Sequence, residues 1–288
     1  MNIDGFKLMS DITEEPVEWF WDGRIPLGEL TILEGHPGTN KSSLMDDLAA
    51  RLTQGEAMPC SSKRGRKRKG GAIFLIGEDS IPKTVKGRLV AAGADLSKIA
   101  VLSNVILPED IQRLEKAILN IDAKLVVIDT INDFLSCNVL GNQAVRNALR
   151  PLRDLAEKTK IAIVILRHFI KSSNGHSLLR GGGSVGITAM VRSQLKLFFH
   201  PDDPHLRVLV QDKCNLAPVS PSLLFEIDSF ESTFRLKWHG ECPLTIEDLD
   251  KNRKGSPKLD AAEKYLLDNL ADGPQEVNWL IENAKGIW

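Results

Sequence analysis

Short runs of uninterrupted apolar residues recur along the 288-residue chain, and segments of helical periodicity separate them. Glu29–Leu33, Ala72–Ile76, Leu125–Ile128 and Ile161–Leu166 read as buried strands, with a shorter one at Ile99–Ser103. Between them, Lys41–Gln54 places Leu44, Leu48 and Leu52 on one face of a helix; residues 82–93, Glu109–Asn120 and 141–159 also read as helical. Wholly apolar strands alternating with helices predict an α/β domain, a mostly parallel central sheet covered by helices on both faces. Farther on, Ala189–Phe199, Leu206–Gln211, Leu223–Ile227 and Phe234–Trp238 read as strands suited to antiparallel pairing.

These patterns divide the chain into an N-terminal segment (1–28), a core domain (29–245), a charged linker (246–259) and a helical end (260–288). Trp19, Phe20 and Trp21 of the first segment are expected to pack on the core, because aromatic rings bury so much area. In parallel sheets, ligands sit beyond the carboxyl ends of the strands. Polar motifs follow the strands here at residues 33, 76, 128 and 166, so the candidate chemistry converges on one edge.

The first motif is Gly35-His36-Pro37-Gly38-Thr39-Asn40-Lys41-Ser42, followed by Ser43. It fits G-x-x-x-x-G-K-[ST] between a strand and a helix, a loop whose backbone N–H groups surround phosphate oxygens. The helix N-terminus adds partial positive charge, Lys41 reaches the β- and γ-phosphates, and the Ser42 hydroxyl is a ligand for Mg²⁺. Asn40 stands where the template has its second glycine. Asn is the residue best able to take a left-handed backbone there, so the loop is expected to form.

Asp129 ends LVVID and suits the Mg²⁺ shell, or simply caps a loop. Glu78 ends IFLIGED and is the candidate general base that orients the attacking water, with Asp79 beside it as an assistant or a solvated bystander. His168 ends IAIVILRH; it is either a sensor of the γ-phosphate or a structural histidine.

Composition narrows the partners. With 37 Lys+Arg against 38 Asp+Glu, bulk charge gives no argument for nucleic acid, so such binding needs a local patch. Cys60, Cys137, Cys214 and Cys242 form no CxxC pair, which argues against zinc and against a disulfide framework. No apolar run approaches the ~20 residues of a membrane helix, and the acidic N-terminus has no signal-peptide core. A cytoplasmic protein is expected.

Taken together, EGHPGTNKSSL (34–44), FLIGEDS (74–80), LVVIDT (125–130), LRHFIKSS (166–173), LRGGGSVGITAMVRS (179–193) and QDKCNLAP (211–218) resemble the RecA-like P-loop ATPases. Within these the chain resembles the RepA-like hexameric replicative helicases of plasmids and phages. The resemblance spans most of residues 25–240. It implies a RecA-like core that takes ATP and Mg²⁺, assembles as a homo-hexameric ring and acts on DNA, single-stranded in particular. It implies that Glu78, from the second strand, is the catalytic carboxylate. Arg192 would be an arginine finger reaching the neighbouring subunit's nucleotide; its other reading is a surface arginine. Lys213 lies where related ring ATPases carry a trans-acting basic residue, but Asn215 replaces the arginine of their Lys-x-Arg, which leaves the finger's identity open.

Lys171–Ile187 resembles the loop that lines the pore of ring helicases, with Lys171, Arg180 and Gly181–Gly183 as phosphate contacts; a surface loop is the alternative. The run KRGRKRK (63–69) is a second basic candidate, or a solvated loop. Residues 260–288 resemble the beginning of a winged-helix-like module, or two helices packed on the core. The implied function is ATP hydrolysis coupled to DNA binding and translocation. The alternative is a nucleotide-switched DNA-binding or assembly ATPase without unwinding activity, including a defence- or transposon-associated factor that recruits a partner.

Overall fold

The computed structural model describes residues 8–61, 67–137, 141–169, 185–230, 233–251, 265–270 and 273–284. A small hairpin, β1 (Trp19–Trp21) and β2 (Ile25–Pro26), precedes the main sheet. The sheet is built from β3 (Leu30–Gly35), β4 (Gly71–Ile76), β5 (Ile99–Val101), β6 (Ala123–Asp129), β7 (Ala162–His168), β8 (Ser193–Phe199), β9 (Leu206–Cys214), β10 (Ser222–Phe230) and β11 (Thr233–Cys242). Its order is β11-β10-β9-β8-β3-β7-β6-β4-β5. From β8 to β5 neighbours run parallel, and from β8 to β11 they run antiparallel. The expected α/β class is the observed one.

Strand side chains alternate between faces, and the two cores follow that alternation. Leu33, Phe74, Val127 and Val164 pack on one face with Leu44, Leu48 and Leu52 of α1 (Lys41–Gln54) and Leu89 of α2 (Lys86–Ala91). Ile32, Ile73, Leu75, Val126 and Ile163 pack on the other with Leu114 and Ile118 of α3 (Ile111–Asn120) and Val145, Leu149 and Leu152 of α4 (Asn142–Thr159). Phe20 and Trp21 are buried in the first core, as expected for the N-terminal aromatics. The Trp21 indole donates to Pro59 O at 2.9 Å.

Several boundaries differ from the sequence expectation. Residues 82–93 are not one helix: a π-helical turn, Ile81–Val85, leads into α2. Ala189 and Met190 belong to a short helix, α5 (Val185–Met190), and the strand starts at Ser193. Ala189, Met190 and Val191 read as strand because they are apolar and lead into β8, but Val191 enters the second core from the end of a helical segment. The expected linker begins as helix α6 (Ile246–Lys251), where Leu249 packs with Phe198 and Val208. Its start is a capping box: Thr245 N donates to Asp248 Oδ2 (3.0 Å) while Asp248 N donates to Thr245 Oγ1 (3.3 Å). The T-x-x-D spacing was the available signal. Near the end, residues 265–270 (α7) and α8 (Val277–Ala284) are helical, and Tyr265 Oη donates to Leu280 O at 3.0 Å. Among the described residues no helix is long and apolar enough to cross a membrane.

Candidate functional site

β3 ends at Gly35, and the chain turns through His36–Asn40 into α1. A Cβ on Gly35 would lie 2.7 Å from Leu197 O and 2.8 Å from Thr39 Oγ1, so only glycine permits this turn against β8. Thr39 is buried and its hydroxyl donates to His36 O (2.8 Å), which tightens the loop. The His36 ring packs edge-on against Phe169. Asn40 has φ 68° and ψ 36°, the left-handed conformation expected of it, and makes no side-chain cap bond. The first-turn N–H groups of α1, at Lys41, Ser42 and Ser43, therefore form an open helix N-terminus beside the loop.

The Lys41 ammonium is buried inside this loop. It donates to Gly35 O and His36 O, both at 3.0 Å, and stands 3.1 Å from His168 Nδ1. Burial pulls its pKa down to about 8, against the opposing pull of Asp129 and Glu78. An ammonium held among carbonyl oxygens and short of countercharge is a receptor for an anion.

Ser42 Oγ donates to Asp129 Oδ2 at 2.5 Å, joining α1 to the end of β6. Burial raises the Asp129 carboxyl above its ordinary range, while Ser42 and Lys41 pull the other way. Asp129 is followed by a cis peptide bond to Thr130. Glu78 is exposed on the loop after β4, and Gly77 N donates to Asp129 O at 2.9 Å. Gly38, Lys41, Ser42, Glu78, Asp129 and His168 all line one cleft of about 240 Å³. The strand-end motifs thus converge as the pattern of the sequence implied.

One residue of the cleft, and the buried carboxylate behind it, escaped the sequence reading. Arg88 of α2 and Asp46 of α1 form a 2.8 Å ion pair beside the phosphate loop. Asp46 lies one helical turn beyond Ser42, on the side of α1 away from the Leu44–Leu48–Leu52 stripe, yet it is buried; the helical pattern of the sequence carries no signal for it.

Beneath the loop, buried Glu34 of β3 accepts from Arg167 of β7 and, at 2.5 Å, from Gln194 Nε2 of β8. Arg167 also donates to Thr188 Oγ1 of α5 (3.0 Å). The strands on both sides of β3 are therefore tied together directly under the phosphate loop.

Arg192 is not in this cleft. It sits between α5 and β8, with its N–H bonded to Leu30 O and its Nε 3.6 Å from Glu29 Oε1. Lys213 Nζ donates to Thr188 O and Val191 O, both at 3.2 Å, and so caps the end of α5. Lys171, Arg180 and Gly181–Gly183 lie outside the described residues, as does most of 63–69. Of that basic run, Arg68 donates to Trp19 O (3.0 Å) and pins the β1 hairpin. All four cysteines are free thiols, and the described residues hold no cluster of three or more His, Cys, Asp or Glu that could bind a metal unaided.

A family model for the AAA domain matches residues 7–174, more than half of the chain. The chain belongs to the AAA domain family. The matched region of this AAA domain protein includes the phosphate loop, Glu78, Asp129 and His168. Over 153 residues the protein is also 29% identical to the DNA repair protein RadA of Halalkalibacterium halodurans. That match covers 52% of this chain but only 30% of RadA, so the likeness concerns less than a third of that relative. Sheet, loop and family together define a RecA-like P-loop ATPase core.

Proposed function

We propose that this AAA domain protein hydrolyses ATP and couples the cycle to binding and movement on single-stranded DNA, as a helicase-like motor assembled into a ring. The observation that carries the reading is the Lys41 ammonium, buried among backbone carbonyl oxygens of the loop, with its pKa lowered to about 8 by burial. A triphosphate supplies the negative charge this cation lacks.

In the proposed reaction the β- and γ-phosphates lie along the N-terminus of α1, held by its backbone N–H groups and by Lys41. Glu78 aligns a water with the γ-phosphorus and accepts its proton as the bond to the β–γ bridging oxygen breaks. His168, whose Nδ1 is 3.1 Å from Lys41 Nζ, would respond to the γ-phosphate and pass the change to the chain beyond β7. The Ser42 hydroxyl and Asp129 carboxylate are hard oxygen donors already in contact, which fits a Mg²⁺ ion held by few protein ligands. Such an ion would offset the charge of the phosphates. Arg192 would serve a neighbouring subunit's nucleotide.

Support for DNA as partner comes from the resemblance to plasmid and phage helicases and from the likeness to a DNA repair protein. That second likeness also favours the alternative, a nucleotide-switched ATPase that binds DNA without unwinding it.

The test is the ATPase rate of wild type and Glu78→Gln, with and without single-stranded DNA, together with strand displacement. DNA-stimulated turnover that falls roughly 10²- to 10⁴-fold in Glu78→Gln, with ADP affinity retained, is expected. A Glu78→Gln protein at the parent rate removes the catalytic assignment. Stimulation without strand displacement selects the alternative.

A further inference from the structure

Glu78 is exposed, so its position depends on the backbone that carries it. That backbone is fixed on two sides. On one, Gly77 N is bonded to Asp129 O. On the other, Asp79 Oδ2 accepts from Arg88 Nη1 at 2.8 Å. The same guanidinium uses Nε to hold Asp46 Oδ2, also at 2.8 Å.

Asp46 is almost fully buried on α1, the helix whose first turn carries Lys41 and Ser42. Arg88 and Asp79 line the cleft together with Lys41, Ser42 and Glu78. The chain Asp46–Arg88–Asp79 therefore runs from the phosphate-binding helix to the residue next to the candidate base. Nothing in the hydrolysis scheme above uses it.

We propose that Arg88 is a positioning residue for hydrolysis: its guanidinium ties the Glu78 loop to α1 and so fixes the carboxylate relative to the phosphates. The inference rests on the reading of Glu78 as general base.

Physical chemistry favours arginine for this task. The planar fork presents N–H groups in two fixed directions, so one cation satisfies two carboxylates on different elements. A lysine supplies a point charge without that geometry. Burial alone would lower the Arg88 pKa, but Asp46 and Asp79 overcome it and raise it, so the cation persists at every working pH. The anchor is firm because Leu44 and Leu48 fix α1 in the core on either side of Asp46. A base that loses such a tether keeps its chemistry but not its alignment, and a misplacement near 1 Å costs on the order of 10²-fold in rate.

The alternative role is a structural pin between α2 and α1, and the test separates the two. ATPase kcat, ADP affinity by calorimetry and thermal midpoint are measured for wild type, Arg88→Lys, Arg88→Ala and Asp79→Asn. Arg88→Lys keeps a cation beside Asp46, so its midpoint is expected to exceed that of Arg88→Ala. Its kcat is nonetheless expected to fall roughly 10- to 100-fold, with ADP affinity within about threefold of wild type.

Asp79→Asn removes the charge from only the loop half of the tether and so weakens it. It is expected to lose kcat in the same way with an unchanged midpoint, and it remains informative if Arg88→Ala does not fold. Wild-type kcat in Asp79→Asn or Arg88→Lys overturns the inference, as does a loss of rate matched by an equal loss of ADP affinity. A wild-type protein without ATPase activity would instead overturn the proposed function, and this inference with it.

Discussion

The two ends of the central parallel strands carry opposite kinds of cation. At the carboxyl end, Lys41 is buried, depressed to about 8 and lodged among carbonyl oxygens. At the amino end, Arg192 is half-exposed and rests against Glu29, whose own carboxyl is raised chiefly by burial and pulled back by Arg192. At about 3.3 Å per residue, the steps from Leu30 to Gly35 along β3 span roughly 16 Å. Arg192 is level with Leu30. The difference teaches that Arg192 and Lys41 of one chain do not meet at one phosphate. A role for Arg192 in phosphate chemistry therefore requires a second copy of the chain, whereas Lys41 needs none.

The largest expected effect breaks this comparison directly. Arg192→Ala is expected to lower ATP turnover of the assembled protein roughly 10³- to 10⁵-fold, as for an arginine finger, while each subunit still binds ADP. Lys41→Ala is expected to lose both binding and turnover. Mixed after subunit exchange, the two inactive proteins form some interfaces with an intact Lys41 facing an intact Arg192, and part of the ATPase activity returns. Mixed oligomers with no recovery beyond the parental sum would leave Arg192 as a partner of Glu29 and nothing more.

A smaller effect concerns the carboxyl end alone. A Cβ on Gly77 would lie 2.5 Å from Asp133 Oδ2 and 2.7 Å from its Cβ. Asp133 has little room to retreat, because it accepts from Thr130 Oγ1 at 2.8 Å and from Thr130 N at 3.3 Å. Gly77→Ala must then displace the backbone that carries Glu78, and kcat is expected to fall on the order of 10²-fold with ADP affinity little changed. Gly87→Ala is the control. Its added methyl meets nothing within 4 Å, and in α2 it should stabilise by roughly 0.5–1 kcal/mol. Steady-state kinetics and thermal melts on both variants decide the matter; equal rates would show that the Glu78 loop adapts freely.

How legible this site was depends on which forces place each residue. The phosphate loop, Glu78, Asp129 and His168 are set by strand ends, and strands reveal themselves as apolar runs, so their convergence could be read before any coordinates. Asn40 was legible for a local reason, since few residues accept its backbone conformation. Arg88 and Asp46 were not, because their meaning comes from a pairing between two helices that no periodicity announces. The start of β8 differs from the expected one because the apolar Ala189, Met190 and Val191, which end a helical segment, imitate a strand in sequence. The β1 hairpin was missed as well: its aromatics were expected in the core, but strands this short show no alternation.

The smallest effect sharpens the account of Lys41. In the nucleotide-free protein its pKa of about 8 lies below the ordinary 10.5, so the folded state holds fewer protons than the unfolded chain between those values. The penalty of the buried ammonium is therefore fully present below about pH 8, and its relief makes the folded state more stable as pH rises toward 10.5. Nucleotide affinity must run the other way. Phosphates favour the charged ammonium, so binding is strongest below about pH 8 and weakens as the free protein loses the proton. Between pH 7 and pH 9 the ADP dissociation constant is expected to rise roughly tenfold, with proton uptake on binding visible as a buffer-dependent heat in calorimetry. Arg192, at the exposed end, contributes no such step, so Arg192→Ala should show the same slope as wild type. A flat affinity across this range would mean that the ammonium keeps its proton in the empty loop, and that burial alone does not make it a receptor for phosphate.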